Sequence, residues 1–270
     1  MRPKLLFLLP LAALLGGRAL FAEGADDFPY ALNPAKDAAW IAGDIALFGG
    51  SLYFNGVKKT SDSPELDTSK IPFFDRTYTD KQSAALGTTA DVLVIAFAAL
   101  PAIALPGLDA KQILTVGTMY GESLGLAYSL SGFIQSLVVR YRPYAYSSPP
   151  PSDIGSADIN SSFPSRHSTL AFTTAVFAAT VFDELHPDSP YRAWLWAGGL
   201  GVATAISGIR VASGDHFLSD VAAGAALGAL IGYAVPKLHE VKLSRRDRDG
   251  SSASLDLSPA GLFVSIKEAR

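Results

Sequence analysis

His216 and Asp220 are four residues apart, so on a helix they share one face, and the carboxylate can hold one imidazole nitrogen while the other points outward. That arrangement orients and activates a nucleophile or a base. A helix-start histidine with a solvated aspartate one turn on has the same spacing, so the pair alone does not choose between the two. Arg210 lies six residues before His216, across a link in which Gly214 permits a tight turn and Asp215 can cap the next helix. Arg142, followed by Pro143, ends an apolar segment, and its planar fork suits phosphate oxygens. Arginines at helix ends also anchor at membrane surfaces or meet the helix dipole. Two of them converging on one histidine favour an anion site.

A third element is Phe163-Pro164-Ser165-Arg166-His167-Ser168, where a proline-led turn feeds a helix. The helix N-terminus offers unpaired N–H groups to an anion. Ser165 adds a hydroxyl, and His167 can protonate a departing oxygen. The chain has four histidines, and the other two, His186 and His239, fall in a connecting loop and in the tail, where they read as solvated. Two histidines, two arginines, a serine, an aspartate and a helix N-terminus make a constellation for phosphoryl transfer through a phosphohistidine. His216 would attack, His167 would protonate the leaving group and then activate water, and the cations and backbone donors would neutralise the phosphoryl oxygens without a metal.

These residues need a scaffold that brings them together. Six apolar segments, at 38–54, 92–108, 112–139, 168–182, 193–209 and 217–235, are rich in Ala, Gly, Leu and Ser, small residues that let helices approach closely in lipid. An all-α, membrane-embedded bundle of about six helices follows. If each of the last four segments crosses the body once, one face collects the end of the third, the start of the fourth, the end of the fifth and the start of the sixth. Every candidate site residue named above sits there. The stretches 56–83 and 143–164 read as loops.

Hydrophobic residues make up 49% of the 270 and charged ones 17%, below the ~25% usual in soluble domains. The net charge of -3 and the lack of a basic stripe exclude a nucleic-acid binder, and with no cysteine there is neither a disulfide framework nor a thiolate metal site. Arg2 and Lys4 precede an apolar run ending in small residues near Ala22, so residues 1–22 read as a signal peptide or an N-terminal anchor. Residues 23–236 form the helical domain. The tail 237–270 holds a basic run at 242–248, then a loosely alternating stretch around Pro259 and Gly261 that reads as a short β-hairpin.

The spacing resembles the type 2 phosphatidic acid phosphatase (PAP2) and vanadium haloperoxidase superfamily, whose signature is Lys-x6-Arg-Pro, Pro-Ser-Gly-His and Ser-Arg-x5-His-x3-Asp. Here the parts read Gln135-x6-Arg142-Pro143, Pro164-Ser165-Arg166-His167 and Ile209-Arg210-x5-His216-x3-Asp220, within about 112–235. The resemblance implies hydrolysis of a phosphate monoester or diphosphate, a six-helix body, and neither cofactor nor metal. It implies His216, His167 and Asp220 as catalytic residues and Arg142, Arg210 and Ser165 as phosphate ligands. Gln135 stands where the family has a phosphate-binding Lys, and no Lys lies between Lys111 and Lys237. Arg166 replaces the family's Gly, and its guanidinium is a candidate substitute for the missing cation.

The substrate expected of an apolar body is a phosphorylated lipid at the bilayer surface, with a small phosphate ester as the soluble counterpart. A vanadate-dependent haloperoxidase and a non-catalytic protein of the same fold are the competing readings; Gln135 is the argument for the second. The basic run beyond the last helix, on the face opposite the site, favours a catalytic face that is periplasmic or external.

Overall fold

The computed structural model describes residues 28–58, 66–79, 82–148, 152, 156 and 158–241, together with the backbone of two strands at 252–258 and 261–267. Residues 1–22 and the basic run at 242–248, on which the signal-or-anchor and basic-tail expectations rest, lie outside the described residues.

Among the described residues there are seven α-helices: α1 (Pro34–Val57), the four-residue α2 (Phe73–Arg76), α3 (Ala84–Phe97), α4 (Ala110–Leu137), α5 (Arg166–Leu185), α6 (Arg192–Ala212) and α7 (Leu218–His239). Six are substantial, one for each apolar segment of the sequence. Their starts are chemically marked. Asn33 accepts from the Ala35 and Lys36 N–H groups ahead of α1, Asp109 and Gln112 close a capping box on α4, and Ser165 accepts from the Ser168 N–H at the start of α5. The tail forms the expected hairpin, β1 (Ser252–Ser258) pairing antiparallel with β2 (Gly261–Lys267).

Several segment ends differ from expectation; the helix of the second segment, α3, starts at Ala84 rather than at Val92 and ends at Phe97, with a 3-10 turn at Leu100–Ala104. The first segment is not a short stretch but the 24-residue α1, because Asn33 and Pro34 start it early. The last does not stop at Val235: α7 runs through Pro236 to His239.

Among the described residues, three helical stretches are long and apolar enough to cross a membrane: Ala84–Ala104, Arg192–Ala212 and Leu218–His239. They carry exposed Val92, Ile95, Val202, Leu230 and Tyr233, an apolar surface suited to lipid. The chain is thus a membrane-embedded helical bundle. Its centre is α5, which packs against α3, α4, α6 and α7. Thr169, Thr173, Ala171, Phe177 and Val181 on α5 are fully enclosed.

The α5–α7 contact is the closest in the fold. A Cβ placed on Gly224, Gly228 or Gly232 would lie 2.5, 2.2 and 2.5 Å from the carbonyl oxygens of Ser165, Thr169 and Thr173, inside any tolerable contact. Glycine every fourth residue on α7 therefore lets its backbone rest on that of α5. The consequence is functional: the first turn of α5 is pressed against the first turn of α7.

α1 and α4 run side by side in the same direction and meet through a polar seam. Asp37, Asp44, Ser51 and Lys58 recur every seven residues of the sequence. Asp44 Oδ1 accepts from Ser129 Oγ at 3.0 Å, and Lys58 Nζ donates to the Gln135 carbonyl at 2.9 Å. Ser51 lies beside Gly132. A seven-residue repeat keeps one stripe of α1 on its neighbour.

Candidate active site

α4 ends, α5 begins, α6 ends and α7 begins on the same side of the bundle, as the alternation of segments requires. His216 sits in the link between α6 and α7 and is 2% exposed. The link turns at Gly214, whose φ of 79° suits glycine. The His216 N–H then donates to the Arg210 carbonyl at 3.2 Å.

The ring of His216 has one partner on each side. Nδ1 lies 2.8 Å from the Ser162 carbonyl oxygen, and Nε2 lies 3.3 Å from Arg142 Nη1. A carbonyl only accepts and a guanidinium only donates. The proton must therefore sit on Nδ1, leaving a lone pair on Nε2. Burial, and then the charges of Arg142 and Arg210, hold this imidazole well below the usual histidine value, so the neutral form persists.

Asp220 does not hold His216 directly. Its Oδ2 is 3.8 Å from Nδ1, too far for a hydrogen bond. It accepts instead from Ser162 Oγ at 2.5 Å, the Phe217 N–H at 2.8 Å and Arg140 Nη1 at 2.6 Å. The relay is thus indirect: Asp220 fixes Ser162, and the carbonyl of Ser162 fixes the ring. The same carboxylate starts α7, a task the sequence reading gave to Asp215. Asp215 instead accepts from Ser213 Oγ at 2.6 Å and faces Arg210 Nη1 at 3.3 Å, because the turn at Gly214 points it back towards α6.

Arg142 is buried and fully engaged. Nη1 also donates to the Asp215 carbonyl at 2.9 Å, Nε donates to the Asp158 carbonyl at 3.0 Å, and Nη2 pairs with Asp158 Oδ1 at 3.1 Å. The Arg142 charge holds the Asp158 carboxyl below the usual carboxylate range. Arg210 Nη1 reaches Asp91 Oδ1 and the Gly87 carbonyl, each at 3.4 Å. Asp91, on α3, also meets His167 Nε2 at 2.7 Å. His167, Asp91, Arg210 and Asp215 form a second cluster, linked to the first through the backbone and side chain of Asp215. Ser165 is enclosed, and its hydroxyl oxygen is 3.4 Å from the Ser168 N–H that it caps.

The two departures from the family pattern touch one another. Arg166 Nη2 donates to Gln135 Oε1 at 2.8 Å, and its guanidinium carbon lies 4.4 Å from the centre of the Tyr128 ring. Gln135 Nε2 donates to the Pro164 carbonyl at 2.7 Å. Neither residue is hydrogen-bonded to His216 or Arg142. A lysine does reach Gln135, from outside the 112–236 interval. Lys58 donates to the carbonyls of Gln135, Val138 and Asn160 at 2.9, 3.2 and 3.0 Å. Burial, then the charge of Arg142, pulls its amine down to about 8. It closes the free carbonyl end of α4.

Sequence reasoning missed several members of this network. Asp91 opens an otherwise uncharged apolar run, and that lone carboxylate was its available signal. Arg140 pairs with Asp75 at 2.7 Å and Asp220 at 2.6 Å, and Ser219 Oγ donates to Asp75 at 2.5 Å. Ser162 and Asp75 carried no local signal, since loop residues gain roles only through tertiary placement. His186 and His239, read as solvated, are both engaged. His186 Nε2 lies 3.3 Å from the Ala104 carbonyl, and His239 is buried in the last turn of α7, which extends further than the apolar run that announced it.

The described residues form a helical bundle with His167 and His216 on one face. Residues 117–243 match the family model for the PAP2 superfamily. Among solved structures it is similar to the crystal structure of the first transmembrane PAP2 type phosphatidylglycerolphosphate phosphatase from Bacillus subtilis. Identity is 19% and the TM-score 0.43, covering 72% of this chain and 94% of that one. No curated protein matches.

Proposed function

We propose that the chain is a phosphatase that hydrolyses a phosphate monoester or diphosphate of a membrane lipid, through a phosphohistidine on His216. One observation carries this reading: the partners of His216 force its Nδ1–H tautomer and aim a bare Nε2 at the Arg142 guanidinium. Nε2 attacks phosphorus, and the bond to the leaving oxygen breaks. His167 acts as an imidazolium: Asp91 accepts from its Nε2–H, and its Nδ1 proton goes to the leaving oxygen. The deprotonated His167 then takes a proton from water. The resulting hydroxide attacks phosphorus, the P–N bond breaks, and phosphate leaves with His216 neutral again.

Arg142, Arg210 and the first turn of α5 supply the positive field for the phosphoryl oxygens, with Ser165 setting the start of that turn. These groups can do the charge neutralisation that a metal does elsewhere. Arg166 reaches the phosphate only by leaving Gln135, so its contribution is to hold the α4–α5 corner and add field.

A bilayer-facing apolar body supports a lipid substrate. The catalytic face is proposed to be periplasmic or external, in the inner membrane of the cell. Because α1 runs parallel to α4, residue 34 and the end of α7 share the opposite face. This sidedness therefore needs the stretch before α1 to stay on the cytoplasmic side; a cleaved signal peptide would invert it. Labelling Ser148→Cys and Ser251→Cys with an impermeant reagent separates the two, since the chain has no native cysteine. Labelling of Ser251→Cys alone overturns the external placement.

The activity is tested by phosphate release from a panel of lipid phosphates and diphosphates and one soluble monoester, with vanadate as inhibitor. Release that is blocked by vanadate and abolished in His216→Ala supports the reading. Halide oxidation on vanadate addition would identify a haloperoxidase. No release from any substrate would identify a non-catalytic protein.

A further inference from the structure

Far from the catalytic face, three helices each send one ionisable side chain to a single buried point: Asp37 from the first turn of α1, Glu122 from α4 and His239 from the last turn of α7. Their ligand-type atoms all lie within 4.8 Å of one another. We propose that this triad is a divalent-cation site, of the zinc or manganese class, that clamps α1 and α7 to α4.

The donor chemistry points to a cation. His239 Nδ1 lies 2.9 Å from the Val235 carbonyl, which can only accept, so Nδ1 carries its proton there. A backbone carbonyl that fixes the tautomer in this way is the usual outer partner of a metal-ligating histidine. Nε2 then faces two carboxylates, Asp37 Oδ1 at 3.3 Å and Glu122 Oε2 at 3.2 Å. For bonds of about 2.0–2.1 Å from nitrogen and carboxylate oxygen, the edge of a tetrahedron is roughly 3.3–3.4 Å. The two nitrogen–oxygen edges therefore have the length that a shared ion would set.

Glu122 supplies the independent observation. It is 7% exposed, Oε2 faces His239 Nε2 at 3.2 Å, and Oε1 has no hydrogen-bond partner. A protonated His239 would offer one Nε2–H to two carboxylates, leaving Glu122 Oε1 without a donor and a net negative charge in the bundle. A divalent ion balances both carboxylates and engages all three groups. Buried charges are normally paired or coordinated to metal. Mixed imidazole and carboxylate donors suit zinc and manganese, whereas calcium and magnesium take oxygen alone. A groove of about 570 Å³, lined by Asn33, Lys36, Asp37, Trp40, His239 and Glu240, reaches Asp37 and His239 and provides an entry path to that side of the triad.

The site is distinct from the phosphatase centre. Its test uses the full chain in detergent, stripped with chelator and titrated calorimetrically with Zn²⁺ and with Mn²⁺, with Tm recorded in parallel. The proposal expects one equivalent of at least one ion and a Tm that rises on binding. Glu122→Gln, close in volume, and His239→Ala should weaken affinity at least ~tenfold and abolish the Tm rise. His216→Ala should keep both, which separates this site from binding at the catalytic histidines. If a variant does not fold, Asp37→Asn reads the same ligand set. The proposal is overturned if wild type binds neither ion saturably, or if binding and the Tm rise survive in Glu122→Gln and are lost in His216→Ala.

Discussion

Gln135 accepts a hydrogen bond from Arg166 at 2.8 Å and, through its amide nitrogen, donates to the Pro164 carbonyl at 2.7 Å. The two positions where the chain departs from the PAP2 signature are therefore one structural unit. A lysine at 135 would put two cations within hydrogen-bond distance, and a glycine at 166 would strip Gln135 of a donor. Gln135→Lys and Arg166→Gly should each lower kcat/KM about tenfold, and the double variant should recover most of the loss. Kinetics of the four proteins checks this; additive losses would show the positions to be independent.

The indirect relay makes a separate prediction. Asp220→Asn keeps the shape but loses a carboxylate that holds Ser162, Arg140 and the start of α7. It should cost roughly 100-fold or more in kcat, as removal of a positioned acid–base partner does. Ser162→Ala, which retains the carbonyl that binds His216, should cost about tenfold. Full activity in Ser162→Ala beside a large loss in Asp220→Asn would contradict a relay that passes through Ser162.

His167 should reveal itself through the leaving group. His167→Ala should lose roughly 100-fold or more in kcat/KM, which reports the phosphoryl-transfer step, on an alkyl phosphate and far less on a nitrophenyl phosphate, whose leaving oxygen needs no proton. Comparing the two substrates is the measurement. Asp91→Asn should follow the same pattern, with a smaller loss.

The pH dependence follows from burial of His216. A base is competent while deprotonated, and a depressed value extends that range downward. The acid limb of kcat/KM assigned to His216 should therefore fall below pH 6.5, the ordinary histidine value. A limb above pH 6.5 that disappears in no other variant would contradict the depressed value.

Packing is tested at α7. Gly228→Ala places a Cβ 2.2 Å from the Thr169 carbonyl, whereas Gly198 on α6 has open space around it. Gly228→Ala should destabilise the fold by ~1–3 kcal/mol, as overpacking does, and lower activity by separating the α5 and α7 starts. Gly198→Ala should be neutral or slightly stabilising. Thermal unfolding in detergent compares them.

The six helices and the convergence of His167, Arg142, Arg210 and His216 were legible because apolar segments alternate with polar breaks and the key residues lie at their ends. Three things were not. The heptad of Asp37, Asp44, Ser51 and Lys58 in α1 was hidden because its polar face meets another helix rather than water. Asp91 and Asp75 gain partners only when distant helices pack. The length of α7 was understated because its apolar run ends at residue 235, while the helix continues through Pro236 to His239.

The central claim is that His216 Nε2 takes the phosphoryl group. The full-length protein, mixed with a radiolabelled lipid phosphate and quenched in base during turnover, should carry label that is stable to base and lost in acid. That label should map to the peptide containing His216 and be missing in His216→Ala. Steady phosphate release with no trapped label on that peptide, or undiminished turnover in His216→Ala, would contradict the account.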